Sequence, residues 1–459
     1  MSVAAVVLAA GNGRRFKSET AKVLHSACGR SLLGWVLEAL RSLELARVVV
    51  VVGYQAELVR AEAEAVGLPG LVCVTQAEQL GTGHAVRQAF AGGALDGVDS
   101  VLVVPGDTPL VTGEVLGELL GAHRGNAVTM LTAVVEDPVG YGRVVRDGGG
   151  GVVRIVEHRD ASGVERAITE VNASMYVFDQ KLLARELAGL KPGNEQGEEY
   201  LTDVIGPLVG EGVAAVRVPA RVVAGVNDRV ELAGAAAVLR GRLLERLMRD
   251  GVTIVDPATT YVGAQVRVGR DAVLLPGTHL EGATSIGSGA QIGPSCRLVD
   301  TAVAEGATVT FSVVVGSWIG PGAVVGPYAS LRPGTRLEAG SKAGTFVEMK
   351  NARVGEGSKV PHLSYIGDTT IGRGSNIGAA TVTVNYDGFA KHQTEIGDGV
   401  HIGSDTMLIA PIRVGDNAYT GAGSVVTQDV PDGALAIERG ELHIVAGYAE
   451  RKRRAARPE

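Results

Sequence analysis

The sequence predicts two domains of unlike architecture, an α/β doubly wound domain followed by a parallel β-helix of hexapeptide repeats. Three observations carry this. The first half alternates β-branched runs with segments of helical spacing, and the second half repeats an aliphatic residue and a small one every six positions. The chain also holds 65 glycines, about twice the usual share of ~7%, without a collagen period. A length of 459 residues already exceeds what one core usually spans.

In order along the chain, Val3 to Leu8, Arg47 to Val52 and Val101 to Val104 are short apolar runs without polar interruption. They suit strands of a mainly parallel sheet covered on both faces. Leu32 to Ser42 and His84 to Phe90 have helical spacing between them. Ligands of such sheets sit at the carboxyl ends of the strands. Leu232, Leu239, Leu243, Leu244 and Leu247 recur at helical intervals and predict a connecting helix that stops before Gly251. The expected organisation is therefore 1–229, a connecting helix over 230–250, and 251–459 with a C-terminal tail.

From Val262-Gly263 to Val414-Gly415 the six-residue grammar holds. One aliphatic per short strand points inward, the small residue permits a tight corner, and three strands close one triangular coil. The period breaks at Thr381 to Glu395, where Asn385-Tyr386-Asp387-Gly388 predicts a loop leaving the coil wall, a usual place for function. The basic stretch Arg451 to Arg457 reads as a frayed tail.

A net charge of −7 argues against bulk nucleic-acid binding, so anionic ligands need local basic clusters. The N-terminus lacks a basic n-region and no run approaches the ~20 apolar residues of a membrane span. A cytoplasmic enzyme without membrane insertion is expected. Cys28, Cys73 and Cys296 are odd in number and unpaired in spacing, which predicts buried small hydrophobes rather than a disulfide framework or zinc site.

After the first strand comes Leu8-Ala9-Ala10-Gly11-Asn12-Gly13-Arg14-Arg15-Phe16, with Lys22 close behind. Two glycines let backbone N–H groups approach phosphates, and Arg15 and Lys22 supply the charge a triphosphate needs. A dinucleotide fingerprint would need Gly in place of Phe16, and a Walker A loop would need Gly-Lys-Ser/Thr; both fail. Gln76-Ala77-Glu78-Gln79-Leu80-Gly81-Thr82-Gly83-His84-Ala85 is a second Gly-rich turn opening a helix, either as a plain cap or as a ligand-facing turn, with His84 read as structural. A third turn, Pro105-Gly106-Asp107-Thr108-Pro109, ends the Val101 strand.

In the second half, Leu331-Arg332-Pro333-Gly334, Phe346-Val347-Glu348-Met349-Lys350-Asn351 and His362-Leu363-Ser364-Tyr365 place two cations, a His and a Tyr on nearby coils, which suits a phosphorylated sugar. An amine attacks a thioester only as the free base, so His362 is the candidate to take its proton. A carbonic-anhydrase-like site would need three convergent His around zinc, and His362, His392 and His401 lack a registered spacing.

Together with Tyr141-Gly142-Arg143, Glu157, Asn172, Tyr200-Leu201-Thr202-Asp203 and Gly225-Val226-Asn227-Asp228-Arg229, these strings resemble one family across essentially the full chain. It is the bifunctional N-acetylglucosamine-1-phosphate uridylyltransferase and glucosamine-1-phosphate N-acetyltransferase family, whose L-A-A-G-x-G-x-R signature matches Leu8 to Arg15. The resemblance implies a nucleotidyltransferase domain of the α/β doubly wound class and a left-handed parallel β-helix. It further implies acetyl transfer from acetyl-CoA to glucosamine 1-phosphate, then Mg-dependent uridylyl transfer from UTP to N-acetylglucosamine 1-phosphate, which would feed peptidoglycan precursors. UTP and UDP-sugar contacts are implied at Leu8, Ala9, Ala10, Gly11, Arg15, Lys22, Gln76, Gly81, Thr82, Pro105, Gly106, Asp107, Gly142, Glu157, Asn172 and Asn227. The turn at Gln76 would meet uracil, and Asp107 and Asn227 would hold Mg2+, a hard ion that needs few protein oxygens when phosphates supply the rest. In the second domain the resemblance implies sugar-phosphate binding by Arg332, Lys350, Tyr365 and Asn376 and the catalytic base at His362. It assigns acetyl-CoA contacts to Ala379, Asn385, Tyr386, Ser404, Ala422 and Arg439, and it implies a homotrimer with acetyl-transfer sites between neighbouring β-helices.

The chain departs from the family pattern at Ala21, where Pro is usual before the lysine, at Pro105, at Ala173-Ser174 in place of Thr-Gly, and at Ala380 in a common Gly position. Two rivals are a nucleotidyltransferase for another sugar phosphate with an inert β-helix, and a non-catalytic regulatory subunit. His362 flanked by cations speaks against the first, and the joint presence of Arg15, Lys22, Asp107 and Asn227 against the second.

Overall fold

β-branched runs with no polar interruption can only be satisfied by burial on both faces, and that is where the first strands lie. A computed structural model describes residues 2–191 and 197–456; Arg457, at the end of the basic tail, lies outside them. Contacts divide the chain into Met1–Arg242 and Leu243–Glu459.

In the first unit, β1 (Val3–Ala9), β2 (Arg47–Val52), β3 (Leu71–Thr75), β4 (Ser100–Pro105), β5 (Val128–Val134), β6 (Arg143–Arg146), β7 (Val152–Val156), β8 (Glu170–Asp179) and β9 (Val213–Arg217) form one nine-stranded sheet. Its path is β9-β5-β8-β4-β1-β2-β3, with the β6–β7 hairpin attached to β8. The sheet is not wholly parallel: β8 runs antiparallel to both β4 and β5. The helices α1 (Leu32–Leu40), α2 (Ala56–Ala65), α3 (Thr82–Ala91), α4 (Gly113–Ala122) and α5 (Gln180–Gly189) pack around it, so that two apolar clusters lie on opposite faces of β1. Alternation decides which: Ala5 and Val7 enter one cluster, Ala4 and Val6 the other. Chain order reverses direction beside β1, with β2 and β3 on one side and β4 on the other, and this switch point opens a crevice at the carboxyl ends.

The connecting helix is α6 (Arg229–Arg249), started by Asp228, whose Oδ1 accepts from Val230 N at 2.8 Å and Glu231 N at 2.9 Å. Ala235 and Leu239 bury against Phe16, Leu32 and Leu110, whereas Leu244 and Leu247 join the core of the second unit. The division at Arg242 therefore falls inside the helix.

The second unit is a left-handed parallel β-helix of short strands, most of two or three residues and the longest, Glu348–Val354 and Tyr365–Ile371, of seven. One wall stacks eleven strands, in which Leu274 pairs with Ile292, Ile292 with Val309 and Val309 with Val325, all fully buried. Small hydroxyl residues close the inner corners: Thr278, Thr284, Thr335 and Ser341 each donate to a carbonyl three residues back at 2.6–2.7 Å, which satisfies polar groups that would otherwise be buried unpaired. The inserted loop leaves the wall between Val382–Val384 and Thr394–Ile396.

Two expectations need correction. Only Cys296 is fully buried; Cys28, at a hairpin corner, and Cys73, on the edge strand β3, are half-buried, although burial pushes all three thiols up. The described part of the basic tail is not frayed coil but a fully exposed helix, α7 (Tyr448–Ala455), whose cations complement the negative end of its dipole. Among the described residues no helix is long and apolar enough to cross a membrane.

Glu170 at the start of β8 accepts from Arg146 (2.7 and 2.8 Å) and Thr132 (2.8 Å), with Arg217 at 3.4 Å. The Arg146 hydrogen bonds outweigh burial and lower its pKa from 4.5 to about 2. A carboxylate held down in this way stabilises the fold fully above the ordinary range and progressively less as pH falls through the folded value. Glu170→Gln should cost about 1–3 kcal/mol near pH 7, with the deficit narrowing below 4.5 toward about 2. Chemical denaturation across that range checks this, and a deficit independent of pH would contradict it.

Candidate active sites

Parallel pairing sets Leu8 beside Pro105, so both chains leave the sheet at the same end. Gly106 N donates to Leu8 O (2.8 Å), and a Cβ at Gly106 would stand 2.9 Å from that oxygen, so only glycine fits the turn. The crevice is a cleft of ≈ 930 Å³ lined by Leu8, Ala9, Ala10, Gly11, Arg15 and Lys22 from the first turn, Gln76, Gly81 and Thr82 from the second, and Pro105, Asp107, Asn172 and Asn227. Gly106, Gly142 and Glu157 do not line it directly. Gly142 follows the lining residue Tyr141, and Glu157 lies against it: a Cβ at Gly142 would meet Glu157 Oε1 at 3.2 Å. Burial raises the Glu157 carboxyl, while a hydrogen bond from Thr202 Oγ1 (3.3 Å) opposes the shift.

The charges gather around Lys22. Its ammonium contacts Asp107 Oδ2 and lies 3.4 Å from Asn227 Oδ1, which also accepts from Arg15 at 2.9 Å. Val226 N donates to Asp107 O (2.9 Å) and Asn227 N to Glu231 Oε2 (2.6 Å), tying the Asn227 segment to the Asp107 turn and to α6. Two hard oxygens thus face one cation. Among the described residues no three His, Cys, Asp or Glu side chains could hold a metal between them, and these two oxygens fit an ion whose remaining ligands come from phosphate and water.

The departures have local accounts. Ala21 N donates to Gln55 Oε1 at 2.8 Å, a bond that proline could not make. Ser174 takes φ 57° at a bulge in β8, a conformation natural to glycine. Its N–H caps Asn172 Oδ1 (3.1 Å) while Asn172 Nδ2 donates to the buried Tyr176 hydroxyl (2.6 Å), so the bulge aims Asn172 at the cleft. Ala380 also lies at positive φ, 59°. Pro105 ends β4, where its carbonyl accepts from Thr108 Oγ1 at 2.9 Å. Sequence reasoning missed Gln79, Ser174 and Glu231 in the cleft; an acidic residue in the first turn of α6 was the only signal for Glu231.

In the β-helix, Glu348 pairs with Tyr365 and Lys350 with Gly367, while Arg332 N donates to Met349 O (2.8 Å). Arg332, Lys350 and Tyr365 therefore occupy successive coils of one wall. Arg332 is partnered by Glu348 at 3.1 Å. A Cβ at Gly367 would fall 2.5 Å from the Tyr365 hydroxyl and 2.8 Å from Asn385 Nδ2, so glycine leaves room for both side chains. Lys391, from the inserted loop, lies against Lys350 and lowers its pKa, with Arg332 adding to the effect. Asp368 is buried beneath them. Burial opposes its ionisation, but hydrogen bonds from Asn351 (2.8 Å) and Asn385, with Lys350 and Lys391 nearby, lower its pKa overall. Lys391 was missed in the sequence because only folding of the loop brings it back to Lys350.

His362 is exposed at the end of the strand Lys359–His362 on a neighbouring wall. Its carbonyl receives Ala380 N (3.4 Å) and Ser364 Oγ (2.7 Å). Ala379, Ser404 and Ala422 stack at one corner: Asp405 N donates to Ala379 O (2.7 Å) and Gly423 N to Ser404 O (2.9 Å). Asn385 is buried and Tyr386 exposed at the root of the loop. Arg439 is exposed beyond Glu438, whose N–H reaches Ser424 Oγ at 3.1 Å. Asn376 does not join the cations; it pairs with Lys359 and His401 on the His362 wall, away from Lys350. Of the other histidines, His392 pairs with Asp387 (2.7 Å) and His401 stacks on Tyr419 (4.8 Å).

Comparison with known proteins agrees with this division. The MobA-like NTP transferase domain family matches residues 5–185, and the bacterial transferase hexapeptide family matches residues 393–428. Bifunctional protein GlmU of Streptomyces avermitilis is 54% identical over 461 residues, covering 98% of this chain and 94% of its own. That of Thermobifida fusca is 55% identical over 458 residues with the same coverage, and that of Nocardia farcinica 50% over 460 residues, covering 98% and 93%. With a nucleotidyltransferase-type cleft on one unit, a hexapeptide β-helix as the other, and such identity across both, the chain belongs to the family of bifunctional GlmU proteins.

Proposed function

We propose that this chain makes UDP-N-acetylglucosamine in two steps, and the observation that carries the reading is the pairing of a Lys22–Asp107–Asn227 cleft with a separate cluster of Arg332, Lys350 and Lys391. The enzyme is an N-acetylglucosamine-1-phosphate uridylyltransferase and a glucosamine-1-phosphate N-acetyltransferase. In this reading 1–229 and 251–459 carry the two activities, with 230–250 connecting them, and the protein works in the cytoplasm.

Acetyl transfer comes first. Arg332, Lys350 and Lys391 take the phosphate of glucosamine 1-phosphate, and Tyr365 and Asn376 orient the sugar. The 2-amino group loses a proton to His362 as its nitrogen attacks the thioester carbonyl of acetyl-CoA, held along Ala379, Asn385, Tyr386, Ser404, Ala422 and Arg439. Coenzyme A leaves as the thiol, and no acyl-enzyme is needed. In uridylyl transfer, the N-acetylglucosamine 1-phosphate oxygen attacks the α-phosphorus of UTP and pyrophosphate leaves. Asn172, Glu157 and Gly142 hold the sugar; Gln76, Gly81 and Thr82 hold the uracil; Leu8 to Gly11 offer backbone N–H groups, and Arg15 and Lys22 neutralise phosphate charge. Asp107 and Asn227 would hold Mg2+, which supplies Lewis-acid stabilisation of charge developing on the phosphates. With those oxygens engaged, the Lys22 ammonium that now contacts them would be left for phosphate.

A homotrimer completes the reading. Phe311, Tyr328, Phe346 and Leu363 stand exposed on successive coils, Tyr328 and Phe346 stacked with centroids 5.4 Å apart, and Leu363 directly follows His362. A second β-helix covering this ladder would enclose His362 and could supply Asn376, which one chain leaves apart from Lys350.

A coupled assay with glucosamine 1-phosphate, acetyl-CoA, UTP and Mg2+ tests the whole scheme; absence of either half-reaction from folded protein would reject it. Asp107→Ala should abolish uridylyl transfer with acetyl transfer intact, and normal uridylyl transfer in the folded variant would remove the metal assignment. His362→Ala should cut acetyl transfer about 10²–10⁴-fold while sparing the other reaction; a near wild-type rate would move the base elsewhere. Phe346→Glu should weaken subunit association by about 10-fold or more, and acetyl transfer should fall with it. Sedimentation showing an unaltered trimer, or a fully active monomer, would contradict the interface.

A further inference from the structure

Gln76 follows β3 with its backbone N–H fixed on Val52 O (2.8 Å) and its side chain 3% exposed, yet it lines the cleft. Its carboxamide nitrogen meets Gly81 O at 3.1 Å and His84 Nδ1 at 3.0 Å. A primary amide has two N–H groups, and both are now used. Gly81 O can only accept, so the amide cannot be exchanged end for end without setting two oxygens against each other. Oε1 is left over, and among the described residues no hydrogen bond to it is made.

The same accounting runs outward along α3. If His84 Nδ1 accepts from Gln76, the neutral ring carries its proton on Nε2. Gln88, one helical turn on, has its carboxamide nitrogen placed 3.0 Å from that Nε2. Two donors cannot face each other, so we assign the Gln88 amide the opposite way round, with its oxygen to the ring. Gln76 then donates to both Gly81 O and His84 Nδ1 while His84 donates on to Gln88, so the donor and acceptor at every link are fixed, and His84 has a role that its reading as a structural residue did not supply.

We propose that His84 and Gln88 are positioning residues that fix the polarity of the Gln76 amide and thereby the nucleobase: Oε1 is held toward the cleft as an acceptor for the N3–H of uracil. Cytosine has an unprotonated N3, which would set lone pair against lone pair at this oxygen. Selection of UTP over CTP thus depends on an imidazole that touches neither. This rests on the reading of the cleft as the UTP site.

The test is the ratio of kcat/KM for UTP to that for CTP, measured with N-acetylglucosamine 1-phosphate on the full-length protein. His84→Leu removes the acceptor and should lower the ratio about 10-fold or more, chiefly through KM for UTP. His84→Asn puts an amide oxygen near the Nδ1 position and should keep most of the preference. Gln88→Met, on a half-exposed helix face, should cost a smaller, few-fold part by releasing the tautomer. A merely structural His84 would lower both nucleotides together with the melting temperature and leave the ratio unchanged, which would overturn the proposal. So would an Asn variant with the wild-type melting temperature that loses preference as fully as Leu does. Should the Leu variant not fold, the Asn and Met variants decide: an unchanged ratio in Gln88→Met together with a lost one in a folded His84→Asn rejects the relay. Wild-type protein that ignores UTP while still transferring acetyl groups would instead reject the UTP reading of the cleft.

Discussion

Parallel pairing is the constraint from which both sites follow. Parallel strands end on the same side, so the turns that leave them gather there whatever their separation in sequence. Pairing of β1 with β4 brings Lys22 to Asp107 although they are 85 positions apart. In the β-helix the same rule acts coil by coil: register carries Glu348 onto Tyr365 and Lys350 onto Gly367 and so builds a cationic wall from residues about 17 positions apart. An antiparallel meander would scatter such turns over both ends. The antiparallel strand β8 contributes differently, through a bulge in its middle that turns Asn172 toward the cleft.

This explains which parts were legible in the sequence. Strands with uninterrupted valines and corners with periodic glycines are local consequences of burial and of backbone geometry, and a reader of the chain sees them directly. The charged residues of the first turn were legible because a strand-end position already implies the crevice. What the sequence hid is what only folding juxtaposes. Lys391 sits in a loop whose return to Lys350 follows no period, and Glu231 acts by capping the Asn227 amide across a turn. Asn376 shows the reverse: near in sequence to Tyr365, it lies on a different wall from Lys350 because the chain turns a corner between them.

The departures show the same separation of local cause and remote effect. Proline before Lys22 would fix the backbone by its ring, and Ala21 fixes it by a hydrogen bond to Gln55 instead. Serine at position 174 accepts a left-handed backbone in return for capping Asn172. Each of these two backbones is held by an interaction of its own, one just before Lys22 and one beside Asn172.

The cations of the second unit pose an electrostatic question that their surroundings answer. Lys350 and Lys391 stand side by side with Arg332 near, and their repulsion lowers the Lys350 pKa. Such an arrangement destabilises the free protein unless something opposes it. Asp368 does so from beneath, ionised despite burial because Asn351 and Asn385 donate to it. Asp368 beneath and Glu348 on Arg332 are two carboxylates against three cations, so the wall keeps an excess of positive charge toward solvent. A phosphate dianion placed there removes repulsion as well as adding attraction, and its gain is therefore greatest where the free site is least relaxed. Fixing Asp368 by two amides, rather than letting a flexible acid reach the lysines, keeps that excess pointed outward.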